Sequence, residues 1–143
     1  LAKTKLPIMS CSGIGLPQEM LDSAVPTKTT KKEVITQHLP KFEKVLNCIP
    51  DATVILAHSG CFDFQYIIDL MKKFPNTYTD ISIQPAANIK KLIDEIGSDR
   101  ILFGTDYPFV TQAFSILSVL RATGDEQERI NILGKNAKKL LRL

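Results

Sequence analysis

Short apolar runs alternate with stretches in which apolar residues recur every three or four positions, and the alternation repeats along the chain. Leu6-Pro-Ile-Met-Ser10 predicts a first strand, ended by the turn residues Cys11-Ser-Gly-Ile-Gly15. Ile35, Leu39, Phe42, Val45 and Leu46 then fall at helical spacing, and Pro40 inside that stretch predicts a kink or two shorter helices. Thr53-Val-Ile-Leu-Ala57 is continuously apolar and β-branched, as suits a strand covered on both faces. Phe64, Ile67, Ile68 and Met71 mark a second helical face, stopped by Pro75-Asn76. Thr77-Tyr-Thr-Asp-Ile-Ser82 is a third strand. Ile89, Leu92, Ile93 and Ile96 predict a helix closed by Gly97, and Arg100-Ile-Leu-Phe-Gly104 a fourth strand. Phe114, Leu117 and Leu120 stripe the next helix. Ile130, Leu133, Ala137, Leu140 and Leu141 form the apolar face of a last helical pair, bent near Gly134.

Strand and helix in regular succession imply an α/β fold of parallel strands joined by right-handed crossovers. Four such units fit an open doubly wound sheet or half of an eight-stranded barrel. A complete barrel takes about 250 residues, and the chain has 143. It reads as a single domain over 1–143, with one long loop, Gly13 to Lys32, of the kind that forms lids.

Composition narrows the function classes. Hydrophobic residues are 44% and charged residues 23%, ordinary for a globular protein. A net charge of +3 from scattered Lys and Arg argues against nucleic acid as a partner. Lys31-Lys32 is more simply a solvated helix start. No apolar run reaches the ~18 residues of a membrane span. Three cysteines, Cys11, Cys48 and Cys61, make neither a CxxC pair nor an even disulfide set, which suits a reducing cytoplasm.

In parallel α/β folds, reactive groups gather where strands end. Cys11 follows the first strand, His58 the second and Asp106 the fourth, while Asp80 and Ser82 close the third. His58 can bind a metal or move a proton; the alternative is a buried histidine bonded to a loop carbonyl. His38, the other histidine, reads as a surface or capping residue. Asp106, in Gly104-Thr-Asp-Tyr-Pro108, can ligate a divalent metal and take a proton from water, or else cap a turn. Together the two favour chemistry. Asp80 reads as structural, paired with Arg100 or a nearby Lys, and Arg100 as a bottom-face or rim charge. Gly13-Ile-Gly15 lacks the further residues of a phosphate loop, and no Gly-x-Ser-x-Gly elbow is present.

The chain resembles the second half of an amidohydrolase-related (amidohydrolase 2) metal-dependent hydrolase. The resemblance rests on Ile55-Leu-Ala-His-Ser-Gly60, Asn76-Thr-Tyr-Thr-Asp-Ile-Ser82, Asp99-Arg-Ile-Leu-Phe-Gly-Thr-Asp-Tyr-Pro108 and the closing Ile132-Leu-Gly-Lys-Asn-Ala137. It implies the C-terminal half, strands five to eight, of a TIM-type (β/α)₈ barrel with a metal centre at the strand ends. It further implies hydrolysis of an amide, ester or lactone through a metal-activated water, or the related decarboxylation. His58 then matches a metal-ligand or proton-transfer histidine and Asp106 a metal-ligand aspartate. Cys11 stands where the resemblance expects a ligand histidine; a thiolate can bind zinc itself, so the implied cofactor is a divalent metal, zinc by preference.

The leading expectation is thus a metal-dependent hydrolase or decarboxylase acting on a small molecule, with no nucleic-acid or membrane partner. Tyr107 and Phe109 are candidates for specificity. The alternative is a non-catalytic barrel protein with a degenerate metal site that binds a small molecule or partner. The open strand edges of a half-barrel call for association, a homo-oligomer included.

Overall fold

The computed structural model describes residues 6–12, 38–61 and 63–143. The expected loop from Gly13 to Lys32, the Lys31-Lys32 pair and Ile35 lie outside them. Four parallel strands, β1 (Ile8–Cys11), β2 (Val54–Ala57), β3 (Thr77–Asp80) and β4 (Ile101–Leu102), form one sheet in sequence order. Ile8 pairs with Val54, Ile55 with Tyr78 and Thr79 with Ile101. This register puts the four C-terminal ends along one edge.

Helices α1 (His38–Cys48), α2 (Phe64–Lys73) and α3 (Ala86–Ile96) connect the strands. Pro40 is the third residue of α1 as described, a first-turn position at which a helix tolerates the missing N–H. Leu46, Val54, Leu56, Ile67, Leu70 and Met71 form one core cluster. Phe64, Ile68, Ile81, Ile89, Leu92, Ile93, Ile101, Val119, Ala122 and Ile132 form a second. Each fully buried aliphatic side chain contributes about 1.5–3 kcal/mol. Val45, expected on the buried face of α1, is instead 50% exposed.

The third strand stops two residues earlier than its β-branched run suggests. The Asp80 carboxylate accepts the Ser82 N–H at 2.8 Å, a turn that competes with the ladder. Arg100 does not pair with Asp80. Its Nη1 donates to the Met71, Phe74 and Thr77 carbonyls at 2.8, 3.4 and 3.4 Å, stapling the end of α2 to the start of β3.

The C-terminal helices correct two expectations. In α4 (Gln112–Ala122) the buried residues are Ser115, Ser118, Val119 and Ala122, while Phe114, Leu117 and Leu120 are exposed. The expected last pair is α5 (Glu126–Ile130), a π-helical turn at Asn131–Lys135 and α6 (Asn136–Leu141). The wide turn contains Gly134, as the expected bend does. It rotates the helix face, so Asn131, Ile132 and Asn136 are buried and Ile130, Leu133 and Leu141 exposed. Asn136 Nδ2 donates to the Ser98 and Ile101 carbonyls at 2.7 and 2.8 Å and seats α6 at the start of β4. Among the described residues no helix is long and apolar enough to cross a membrane.

Candidate active site at the strand ends

The chain leaves β2 through a short turn, His58–Gly60, in an unusual conformation. His58, Ser59, Gly60 and Cys61 all have positive φ, at 62°, 45°, 75° and 51°. Three of these are not glycine, and a non-glycine residue held in so sparsely populated a conformation costs of order 1–3 kcal/mol. The turn is over-determined from outside. The Asp80 carboxylate accepts the His58 N–H at 3.3 Å, Ser59 Oγ donates to the Asp80 carbonyl, and Gln84 Nε2 donates to the His58 carbonyl at 2.7 Å. Asn88 Nδ2 in turn donates to Gln84 Oε1 at 2.7 Å. Asp106, just beyond β4, is also left-handed at φ 60°. Backbone strain at both residues singled out from the sequence is the pattern seen at functional sites.

His58 Nδ1 lies 2.7 Å from Ser82 Oγ, and that hydroxyl donates to Asp80 Oδ1. Among the described residues Nε2 has no hydrogen-bond partner. Nor does any hydrogen bond or ion pair hold the Asp106 carboxylate. Gly104, in the loop after β4, gives the Asp80 carboxylate its room: a Cβ there would stand 2.9 Å from Oδ1.

Cys61 joins these groups. Burial pushes its thiol up to about 11, and negative charge at Cys11, Asp106, Asp63 and Asp80 acts in the same direction. Its Sγ contacts the Ser12 carbonyl at 3.9 Å, next to Cys11. Cys11 itself is exposed at the end of β1, and all three cysteines are free thiols. Among the described residues no three or more His, Cys, Asp or Glu side chains form a group able to hold a metal ion. Cys11, His58 and Asp106 therefore do not close into a complete ligand set. An imidazole nitrogen and a carboxylate are both donor types that divalent cations accept. Tyr107 and Phe109 are 80% and 84% exposed, projecting beside Asp106.

Sequence reasoning placed His58 and Asp106 at this edge and took Asp80 for a structural ion-pair partner. It missed Cys61, and it missed the link from Asp80 through Ser82 to His58. The one signal for that link was a polar pair, Asp80 and Ser82, closing an otherwise β-branched strand.

A parallel α/β unit with strained polar residues at its strand ends is the architecture of half a TIM-type barrel. The chain belongs to the amidohydrolase family, whose model matches residues 1–143. An uncharacterised TIM-barrel protein from Bordetella bronchiseptica is similar at 24% identity, over 99% of this chain and 47% of that one, with a TM-score of 0.71. A dihydroxybenzoic acid decarboxylase from Polaromonas, with bound manganese and the inhibitor 2-nitroresorcinol, matches at 22% identity over 99% and 51%, TM-score 0.71. The 2,6-dihydroxybenzoate decarboxylase from Rhizobium matches at 21% over 99% and 52%, TM-score 0.70. The chain spans about half the length of these structures. No curated protein matches it.

Proposed function

We propose that the protein containing this chain is a metal-dependent enzyme of the amidohydrolase type. It cleaves a small acyl compound or organic acid by hydrolysis or by the related decarboxylation. The observation that carries this reading is that His58 and Asp106, just beyond the two strands that flank β3, both have positive φ, and each keeps a donor group without a partner among the described residues. Decarboxylation is supported by neighbours named as dihydroxybenzoate decarboxylases, one of them with bound manganese.

His58 Nε2 and the Asp106 carboxylate would serve as two of the donors to a divalent cation, which when bound would supply Lewis-acid chemistry. Asp106 is placed to take a proton from an attacking water, and His58 Nε2, where it is not itself a ligand, to accept or deliver one. Cys61 stays protonated at neutral pH and adds no charge beside them. Exposed Tyr107 and Phe109 offer aromatic surface to a ring-bearing substrate.

Full-length protein should retain a divalent metal, measured by elemental analysis. It should also release carbon dioxide from a dihydroxybenzoate or hydrolyse a lactone or ester, and lose that activity in His58→Ala and Asp106→Asn. Absence of metal, together with unchanged small-molecule binding in both variants, would instead establish a non-catalytic barrel. Cys11 in place of the histidine that the family resemblance implies favours that second reading.

A further inference from the structure

His58 can carry its neutral-state proton on either ring nitrogen, and the surrounding bonds select one. Ser82 has a single hydroxyl proton, and it goes to Asp80 Oδ1. The Ser82 N–H donates to the same oxygen at 2.8 Å and the His58 N–H to Oδ2 at 3.3 Å. Three donors converge on this carboxyl group, as befits an ionised acceptor. With its proton committed, Ser82 Oγ can only accept at the 2.7 Å contact with His58, so the imidazole must donate from Nδ1.

We propose that Asp80, acting through Ser82, is a positioning residue that holds His58 in its Nδ1–H tautomer and presents the Nε2 lone pair to the open edge of the site. Only what Nε2 then does rests on the proposed function; the tautomer follows from the bonds themselves. The order Nδ1–H to Ser82 O–H to Asp80 also fixes the ring plane, because the acceptor is anchored at both its hydroxyl and its backbone N–H. Supporting groups of this kind typically change metal affinity by about 10–100-fold when removed.

Nitrogen-15 NMR of histidine-labelled full-length protein tests this directly, with the His58 signals identified by their loss in His58→Gln. In chelator-treated protein with neutral imidazole, Nδ1 should show the protonated shift and Nε2 the unprotonated one. Ser82→Ala should mix the tautomers or invert them, and Ser82→Thr should restore the wild-type pattern. Mn²⁺ affinity should fall about 10–100-fold in Ser82→Ala and Asp80→Asn and recover in Ser82→Thr. An Nε2–H signal in the wild type overturns the proposal whether or not any variant folds, as does a Ser82→Ala spectrum equal to wild type. The expected tautomer in a protein that binds no Mn²⁺ would uphold this inference and count against the metal-dependent function.

Discussion

Gly104 and the Asp80 carboxylate occupy one space: a Cβ on Gly104 would approach Oδ1 to 2.9 Å, Cγ to 3.1 Å and the Asp80 Cβ to 3.2 Å. Asp80 cannot retreat freely, since it holds the N–H groups of both His58 and Ser82. Gly104→Ala should therefore destabilise by about 1–3 kcal/mol, the range for overpacking. It should also lower activity by more than a comparable change in the core, because it disturbs the support of His58. Thermal unfolding and a parallel assay separate the two effects.

Gly60 and Gly97 share a positive φ, 75° and 74°, in different surroundings, and Gly97 with ψ 167° lies in a region essentially reserved for glycine. A Cβ on Gly60 would lie 2.4 Å from Ile67 Cγ1, whereas one on Gly97 meets nothing within 4 Å. Gly97→Ala should cost roughly 1–3 kcal/mol from backbone conformation alone. Gly60→Ala adds overpacking to that and should cost about 2–4 kcal/mol. Urea unfolding of both variants would read the difference.

Asn136 satisfies two carbonyls from beneath the start of β4. Asn136→Ala removes both bonds; Ser98 keeps the Ile101 N–H, but the buried Ile101 carbonyl loses its side-chain donor, which should destabilise by about 1–3 kcal/mol. Asn136→Asp should be worse, because it sets a carboxylate against the same oxygens. The midpoint of denaturant unfolding measures both.

The Cys61 thiol gives a pH signature. Raised from 9.0 to about 11, it carries about 100-fold less thiolate near pH 8 than an unperturbed cysteine. Alkylation of Cys61, followed by mass spectrometry, should be slower than that of free cysteine by that factor and accelerate up to pH 11. The folded state binds this proton more tightly than the unfolded chain does. The associated stability is therefore complete below pH 9 and lost as pH rises through 11.

The order of strands and helices was legible because a buried parallel strand and an amphipathic helix leave different periodicities. Thr53–Ala57 against Ile89-Leu92-Ile93-Ile96 is the clearest contrast. His58 and Asp106 were legible for a related reason, since polar residues that end apolar strands must lie at the sheet edge. Periodicity identifies an apolar face but not what covers it. Phe114, Leu117 and Leu120 therefore looked like core, while α4 actually buries Ser115, Ser118, Val119 and Ala122.

The sequence by itself determined the parallel α/β architecture, the helix stop at Gly97, the bend at Gly134 and the edge on which reactive groups gather. These depend on local pattern and chain direction alone. Only the tertiary structure decided that Asp80 serves His58 rather than Arg100, that Cys61 stands among the acidic groups, and that Gly104 must stay bare. Those relations join residues on different strands, such as His58 with Asp80, 22 positions apart. Hydrogen-bond geometry over such separations exists only once the strands have paired in register.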